Sequence, residues 1–209
     1  MPELMVATKQ NIEQAFDDSA ATYDRVGPAI YEPFAQRLVD WLPLKPGAMM
    51  LDVATGAGAV LLPAARLLGS EGHIVGIDLS DGLLRQARAL ARAEDLTNVE
   101  LRKMDAEHLE FRDQSFDFVT CAFSLYFFAN MEAALHEMHR VCKPGGRLGL
   151  TVFDRTPPPF DPLFPMAIQQ FAAYQGKVWM PPHGMAFAPE ELEGFLKRHG
   201  WQLIETHGE

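Results

Sequence analysis

The 209-residue chain predicts an α/β fold, a Rossmann-like, doubly wound and mostly parallel sheet. Two observations predict it. Five apolar stretches alternate with helix-compatible segments, the rhythm of βαβ units. The first of those stretches ends in Leu51-Asp-Val-Ala-Thr-Gly-Ala-Gly58, a small Gly-containing turn, and a helical pattern follows. Such a turn brings backbone amides up to a ligand, because glycine permits a sharp bend and a close approach.

Residues 1–45 read as an N-terminal helical cap, with Ile12, Phe16, Ala20 and Tyr23 at near-helical spacing and a further helix over 31–42. Residues 46–153 form the binding core, with strands over 48–53, 73–77, 99–103, 116–123 and 147–153 and helices over 59–68, 81–93 and 131–141. Ser80 is placed to cap the helix over 81–93. Lys143-Pro-Gly-Gly146 stops the helix over 131–141 and turns the chain into the next strand. Residues 154–188 break the rhythm. They are rich in proline and in large apolar side chains such as Phe160, Phe164, Trp179 and Met185, and a connection of that length reads as a substrate lid. Residues 189–209 hold a last helix, opened by Pro189, and a strand over 201–206. The whole is one domain.

Composition excludes several classes. The chain is 48% apolar and 22% charged, so it is globular, and its formal charge of −10 argues against a nucleic-acid surface. No apolar run suits a membrane span, and the N-terminus lacks the apolar core of a secretory signal. Cys121 and Cys142 fall in core elements without ligand spacing, which points to buried thiols in a reducing cytoplasm. No metal cluster is legible.

The apolar run at 73–77 ends in Asp78, where a carboxylate can accept hydrogen bonds from the two hydroxyls of a ribose. With the glycine turn, this predicts an adenosine-containing ligand. The turn continues Gly56-Ala-Gly-Ala-Val-Leu61, without the third glycine of a dinucleotide site. That counts against a nicotinamide-dependent oxidoreductase.

Six ordered motifs resemble those of the class I S-adenosylmethionine-dependent methyltransferases, and most closely the branch of ubiquinone/menaquinone C-methyltransferases and small-molecule methyltransferases. They are Phe16-Asp-Asp-Ser-Ala-Ala-Thr-Tyr-Asp24, Leu51–Gly58, Gly76-Ile-Asp-Leu-Ser80, Met104-Asp-Ala-Glu107, Phe116-Asp-Phe-Val119 and Arg140-Val-Cys-Lys-Pro-Gly-Gly146. The resemblance implies S-adenosylmethionine as cofactor and in-line methyl transfer to a small, largely apolar metabolite. It implies that the turn from Asp52 through Ala54, Gly56 and Gly58 passes under the methionine end, with Asp52 toward the α-ammonium. Asp78 would hold the ribose, Leu79 one adenine face, Asp105 the adenine amino group and the Ala106 amide a ring nitrogen. Phe123 and Ser124 would lie beside the sulfonium, and Tyr23 would close over the methionine carboxylate. Ala54 departs from the family, many of whose members have glycine there.

No catalytic base is legible. His108, His136, His139, His183 and Tyr126 are candidates, His183 the best placed because it falls in the lid segment. A cofactor-binding protein without chemistry is the rival reading. A nucleic-acid amino-methyltransferase is disfavoured, since Cys121-Ala-Phe-Ser124 stands where its Pro-Pro-aromatic motif would be. Similar enzymes end in a final antiparallel strand, and the residues after the 201–206 run are too few for one. The expectation is a sheet edge lacking that strand, or a strand borrowed from another copy in a homo-oligomer. Ala188 replaces the Ser or Thr that commonly caps the helix at Pro189, leaving that end less firmly fixed.

Overall fold

The computed structural model describes residues 5–6, 8–26, 28–154, 179–180, 186–202 and 205–207, with side chains described over 8–21, 31–154, 186–202 and 205–207. After a short strand β1 (Met5–Val6), two helices precede the sheet, α1 (Lys9–Val26) and α2 (Pro28–Trp41). Thr8 opens α1 by accepting the Asn11 N–H on its hydroxyl at 3.2 Å, and Pro28 supplies the pre-set φ that suits a first helical position. Then come β2 (Met49–Val53), α3 (Leu61–Leu68), β3 (His73–Asp78), α4 (Asp81–Ala93), β4 (Val99–Lys103), β5 (Phe116–Ala122), α5 (Met131–Val141) and β6 (Cys142–Thr151). β7 (Phe153–Asp154), β8 (Trp179–Met180), β9 (Ala186–Phe187) and α6 (Pro189–Arg198) complete the elements.

The main sheet has the order β4-β3-β2-β5-β6, and every neighbouring pair is parallel. Residues alternate between its faces. Met50, Ile74 and Phe118 pack against Leu38, Val39, Leu61, Ala64 and Leu68. Leu51, Val75 and Val119 face the cluster that includes Leu135, Met138 and Leu196. Gly76 is needed where α3 crosses β3, since a Cβ there would come within 2.5 Å of Leu61 Cδ1.

This topology makes a crevice at one end of the sheet. From β2 the chain moves outward through β3 and β4, then returns to the other side of β2 as β5. The loops after β2 and β5 therefore leave in opposite directions, and the crevice between them is where open α/β sheets bind ligands.

Two expectations change. Lys143–Gly146 does not lie outside a strand, because β6 begins at Cys142 and takes those residues in as an irregularity of register. Phe116 pairs with Cys142, but Phe118 pairs with Arg147, and Gly145 at φ +78° absorbs the extra length. The run over 201–206 is not a strand at Trp201, Gln202, Glu205 or Thr206, while 203 and 204 lie outside the described residues. A strand needs a ladder to join, and among the described residues no antiparallel strand joins the sheet. Instead the Trp201 indole packs edge-on to His139 of α5, ring centroids 5.0 Å apart.

Most of the expected lid lies outside the described residues. Its described parts are tied down by two pairings: β9 pairs in parallel with β7, and β8 pairs in parallel with β1, just ahead of α1. Both cysteines are buried and free.

Candidate active site

A cavity of about 780 Å³ opens at the C-terminal ends of β2, β3, β4 and β5, roofed by α1 through Lys9, Ile12, Glu13 and Phe16. Its size falls within the usual range for small-ligand sites. Asp52, Ala54, Gly56, Gly58, Asp78, Leu79, Asp105, Ala106 and Phe123 all line it. The remaining sequence-predicted residue, Tyr23, belongs to α1, but its side chain lies outside the described residues.

The turn after β2 is built from residues forced into the left-handed region. Ala54 (φ 55°), Gly56 (φ 56°) and Gly58 (φ 96°) all have positive φ. Alanine at the first of these carries a cost of roughly 1 kcal/mol that glycine would avoid. The turn is closed by Thr55 N–H donating to Ile77 O and by Gly58 N–H donating to Thr55 O, both at 2.9 Å.

Asp52 sits at 2% exposure, and both its carboxylate oxygens are engaged. Thr55 Oγ1 donates to Oδ2 at 2.6 Å and Thr120 Oγ1 to Oδ1 at 2.7 Å. Burial pushes its pKa up to about 6, against the pull of the two hydroxyls, and the nearby Asp78 adds to the rise. Asp78 ends β3. Its Oδ2 accepts the Gly56 N–H at 2.8 Å and its Oδ1 the Ser80 N–H at 2.9 Å. Burial raises its pKa despite these backbone donors. The carboxylate's roughly four acceptor positions outnumber these donors and the neighbouring Leu79 N–H, so Asp78 keeps acceptor capacity for a ribose hydroxyl.

Asp105 is not a bare loop carboxylate. Lys9 Nζ donates to its Oδ2 at 2.7 Å and also lies 2.6 Å from Glu107 Oε2, while the Glu107 N–H binds Asp105 Oδ1 at 2.9 Å. At the other end of the cavity, Phe123 terminates β5 with φ 53°, a strained conformation for an aromatic residue. Its ring lies 5.1 Å from Tyr31, 5.6 Å from Phe34 and 5.0 Å from Phe153. Ser124 lines the cavity beside it, its hydroxyl donating to Ala122 O at 2.9 Å. Sequence reasoning missed Thr120, Lys9 and Tyr31. Thr120 is found only through register, because it pairs with Asp52 across β2 and β5.

Of the base candidates, His108, His136 and His139 are exposed and do not line the cavity. Tyr126 is buried in the aromatic cluster with Phe127 and Phe153. His183 lies outside the described residues. Among the described residues no group of His, Cys, Asp or Glu could hold a metal ion.

Comparison with known proteins identifies the family. Residues 50–146 match a family described as a methyltransferase domain. Aklanonic acid methyltransferase DauC of a Streptomyces species (strain C5) is 37% identical over 180 residues, covering 83% of this chain and 80% of that protein. The chain is a class I S-adenosylmethionine-dependent methyltransferase. Demethylmenaquinone methyltransferase of Listeria welshimeri is 33% identical over 207 residues, 97% of this methyltransferase and 83% of its relative. Among solved structures, a SAM-dependent methyltransferase from Aquifex aeolicus matches with TM-score 0.68 and 22% identity, over 87% of each chain. The [4+2]-cyclase SpnF matches with TM-score 0.73 and 24% identity, over 96% of this chain and 75% of that one. At those identities the structures speak to the fold alone.

S-adenosylmethionine is the methyltransferase's cofactor, and the cavity fits it. A glycine turn offers close backbone approach, Asp78 has acceptor capacity left over, and the carboxylates of Asp52, Asp78 and Asp105 line the cavity, a lining whose charge suits a cationic ligand. The nicotinamide alternative is set aside.

Proposed function

We propose that this methyltransferase transfers the cofactor's methyl group to a small, largely apolar metabolite at the β5 end of the cavity. The observation that carries the reading is the polarity of the cavity itself. Carboxylates and glycine amides line its β2–β4 side, while Tyr31, Phe123, Phe127 and Phe128 line its β5 side. An apolar acceptor suits the second side and a charged nucleoside the first.

In this reading Asp78 takes the ribose hydroxyls, Asp105 the adenine amino group and the Ala106 amide a ring nitrogen, with Leu79 over one adenine face. Asp52 holds negative charge under the methionine end, kept in place by Thr55 and Thr120. Tyr23 closes over the methionine carboxylate. Bound S-adenosylmethionine would supply an activated methyl group on a sulfonium, with the thioether sulfur as the leaving atom that keeps the C–S electron pair. The chain's own residues align the acceptor and exclude water, which is most of what such a displacement needs. The aromatic wall of Tyr31, Phe123 and Phe128 does both. Residues 154–188 complete the acceptor side as a lid, and the pairing of β8 with β1 supports this by linking that segment to the roof helix.

The relatives named for aklanonic acid and demethylmenaquinone methylation support an acceptor of this size. Association of copies through an open sheet edge and a reducing cytoplasmic setting are part of the same proposal. Calorimetric titration with S-adenosylmethionine, followed by turnover to S-adenosylhomocysteine against a panel of apolar and polar acceptors, tests it. Turnover confined to polar or macromolecular acceptors would refute the apolar reading. Cofactor binding without turnover on any acceptor would favour the non-catalytic alternative.

A further inference from the structure

We propose that Asp17, on the roof helix and outside the cavity lining, is a positioning residue for the cofactor's ribose, acting through Ser80 and Asp78. The proposal rests on the reading that Asp78 takes the ribose hydroxyls.

One line of hydrogen bonds carries it. Asp17 Oδ1 accepts the Ser80 hydroxyl at 2.6 Å and the Gly82 N–H at 2.8 Å. The Ser80 N–H donates to Asp78 Oδ1 at 2.9 Å, and Asp78 Oδ2 receives the Gly56 N–H at 2.8 Å. A single route thus runs from α1 through the β3–α4 loop to the glycine turn.

Ser80 is fully buried, and its hydroxyl has one proton to give. Because that proton goes to Asp17, the oxygen is left to accept the Leu83 N–H at 3.1 Å and cap α4. Without the Asp17 carboxylate the hydroxyl is free to rotate toward other acceptors, and Gly82 N–H, one of the helix's unpaired first-turn donors, loses its partner. Burial alone would raise the Asp17 pKa. The bonds from Ser80 and Gly82, with the charges of Lys103 and Arg85, hold it below its ordinary value instead, so the carboxylate is ionised at neutral pH and its bonds are charge-assisted.

The approach of the two helices is tight enough to depend on one residue. A Cβ on Gly82 would lie 2.7 Å from Ala20 Cβ and 3.1 Å from Asp17 Oδ1. Other residues on the same stripe of α1 also reach across. Lys9 pairs with Asp105, Glu13 with Lys103 at 2.7 Å, and Gln86 donates to the carbonyl of Ala20. Asp17, by contrast, connects through Ser80 to the ribose carboxylate.

The test is calorimetric titration of the full chain with S-adenosylhomocysteine and with its 2′-deoxy analogue. Wild type should bind the parent more tightly. Asp17→Asn should weaken the parent by roughly tenfold and the analogue by less than about twofold, so that the discrimination collapses. Ser80→Ala should do the same, and the double variant should add nothing further. If Asp17 is only a staple between helices, Asp17→Asn lowers both affinities alike and keeps the ratio, which overturns the proposal. Additive losses in the double variant overturn it too. If wild type itself does not discriminate, the Asp78 reading has failed, and this proposal with it. Gly82→Ala, which wedges α1 away while keeping the carboxylate, gives a second route to the same collapse should Asp17→Asn fail to fold.

Discussion

Lys9 Nζ lies 2.7 Å from Asp105 Oδ2, so the carboxylate assigned to the adenine amino group already holds a cation from the roof helix. The pair is partly open to solvent, with side chains 42% and 32% exposed, and contributes no more than about 1 kcal/mol to stability. Its consequence is for binding, because an adenine amino group and an ammonium compete for the same oxygens.

Replacing Lys9 with methionine should therefore tighten S-adenosylhomocysteine binding by about two- to fivefold at low ionic strength, with less gain at high salt, where the native pair is already screened. Calorimetry at two salt concentrations reads this. Weaker binding in the variant would mean that Lys9 supports the ligand rather than competing with it.

Asp78→Ala should cost at least tenfold in cofactor affinity and also leave the Gly56 and Ser80 N–H groups without their acceptor. Both losses should appear together, as a raised dissociation constant and a lower midpoint in urea. Unchanged affinity would remove Asp78 from the ribose site.

Asp52 carries a pH signature. Its folded pKa, pushed up to about 6, stands above the ordinary value of 3.8, so the folded chain binds the proton more readily than the unfolded one. Stability should therefore be greatest below pH 4 as far as this group is concerned, and fall as pH rises toward 6, by up to about 3 kcal/mol. Asp52→Asn should flatten that portion of the curve, measured by urea unfolding between pH 4 and 7. On the proposed placement of Asp52 by the α-ammonium, which S-adenosylmethionine and S-adenosylhomocysteine share, ionising this carboxylate should raise the affinity for both across the same interval.

Phe123 should reverse the usual ranking of glycine and alanine. Its φ of 53° is costly for any residue with a Cβ, so Phe123→Ala keeps the strain and loses the ring contacts, whereas Phe123→Gly loses the contacts but releases the strain. Glycine should be the more stable variant by about 1 kcal/mol in thermal or urea unfolding. Both should depress turnover by opening the aromatic wall.

Much of this was legible from the chain alone. Apolar runs bounded by turn residues gave four of the five core strands to within a residue, and α4 and α5 matched in full. Ser80 is a helix cap as its residue type implied, accepting from the Leu83 N–H at 3.1 Å. The lapses have local causes. The Lys143–Gly146 segment read as a turn because Pro and Gly punctuate chains, yet a parallel neighbour holds it in β6. The run at 201–206 read as a strand by hydropathy, but a strand exists only through its neighbours, and Trp201 found His139 instead. Thr120, Lys9 and Ser80, which bind Asp52, Asp105 and Asp17, lie 68, 96 and 63 positions away in the chain, beyond the reach of any local pattern.

The sequence by itself determined the alternation that makes a parallel sheet, the glycine turn, and the three carboxylates at strand ends, because each depends on short-range sterics and period-two burial. The tertiary structure decided what those carboxylates hold: two threonine hydroxyls, the backbone amides of Gly56, Ser80 and Glu107, and a lysine from the roof helix. Those contacts join strands and helices across the fold, and their geometry exists only once the sheet has set its register and α1 has packed down upon it.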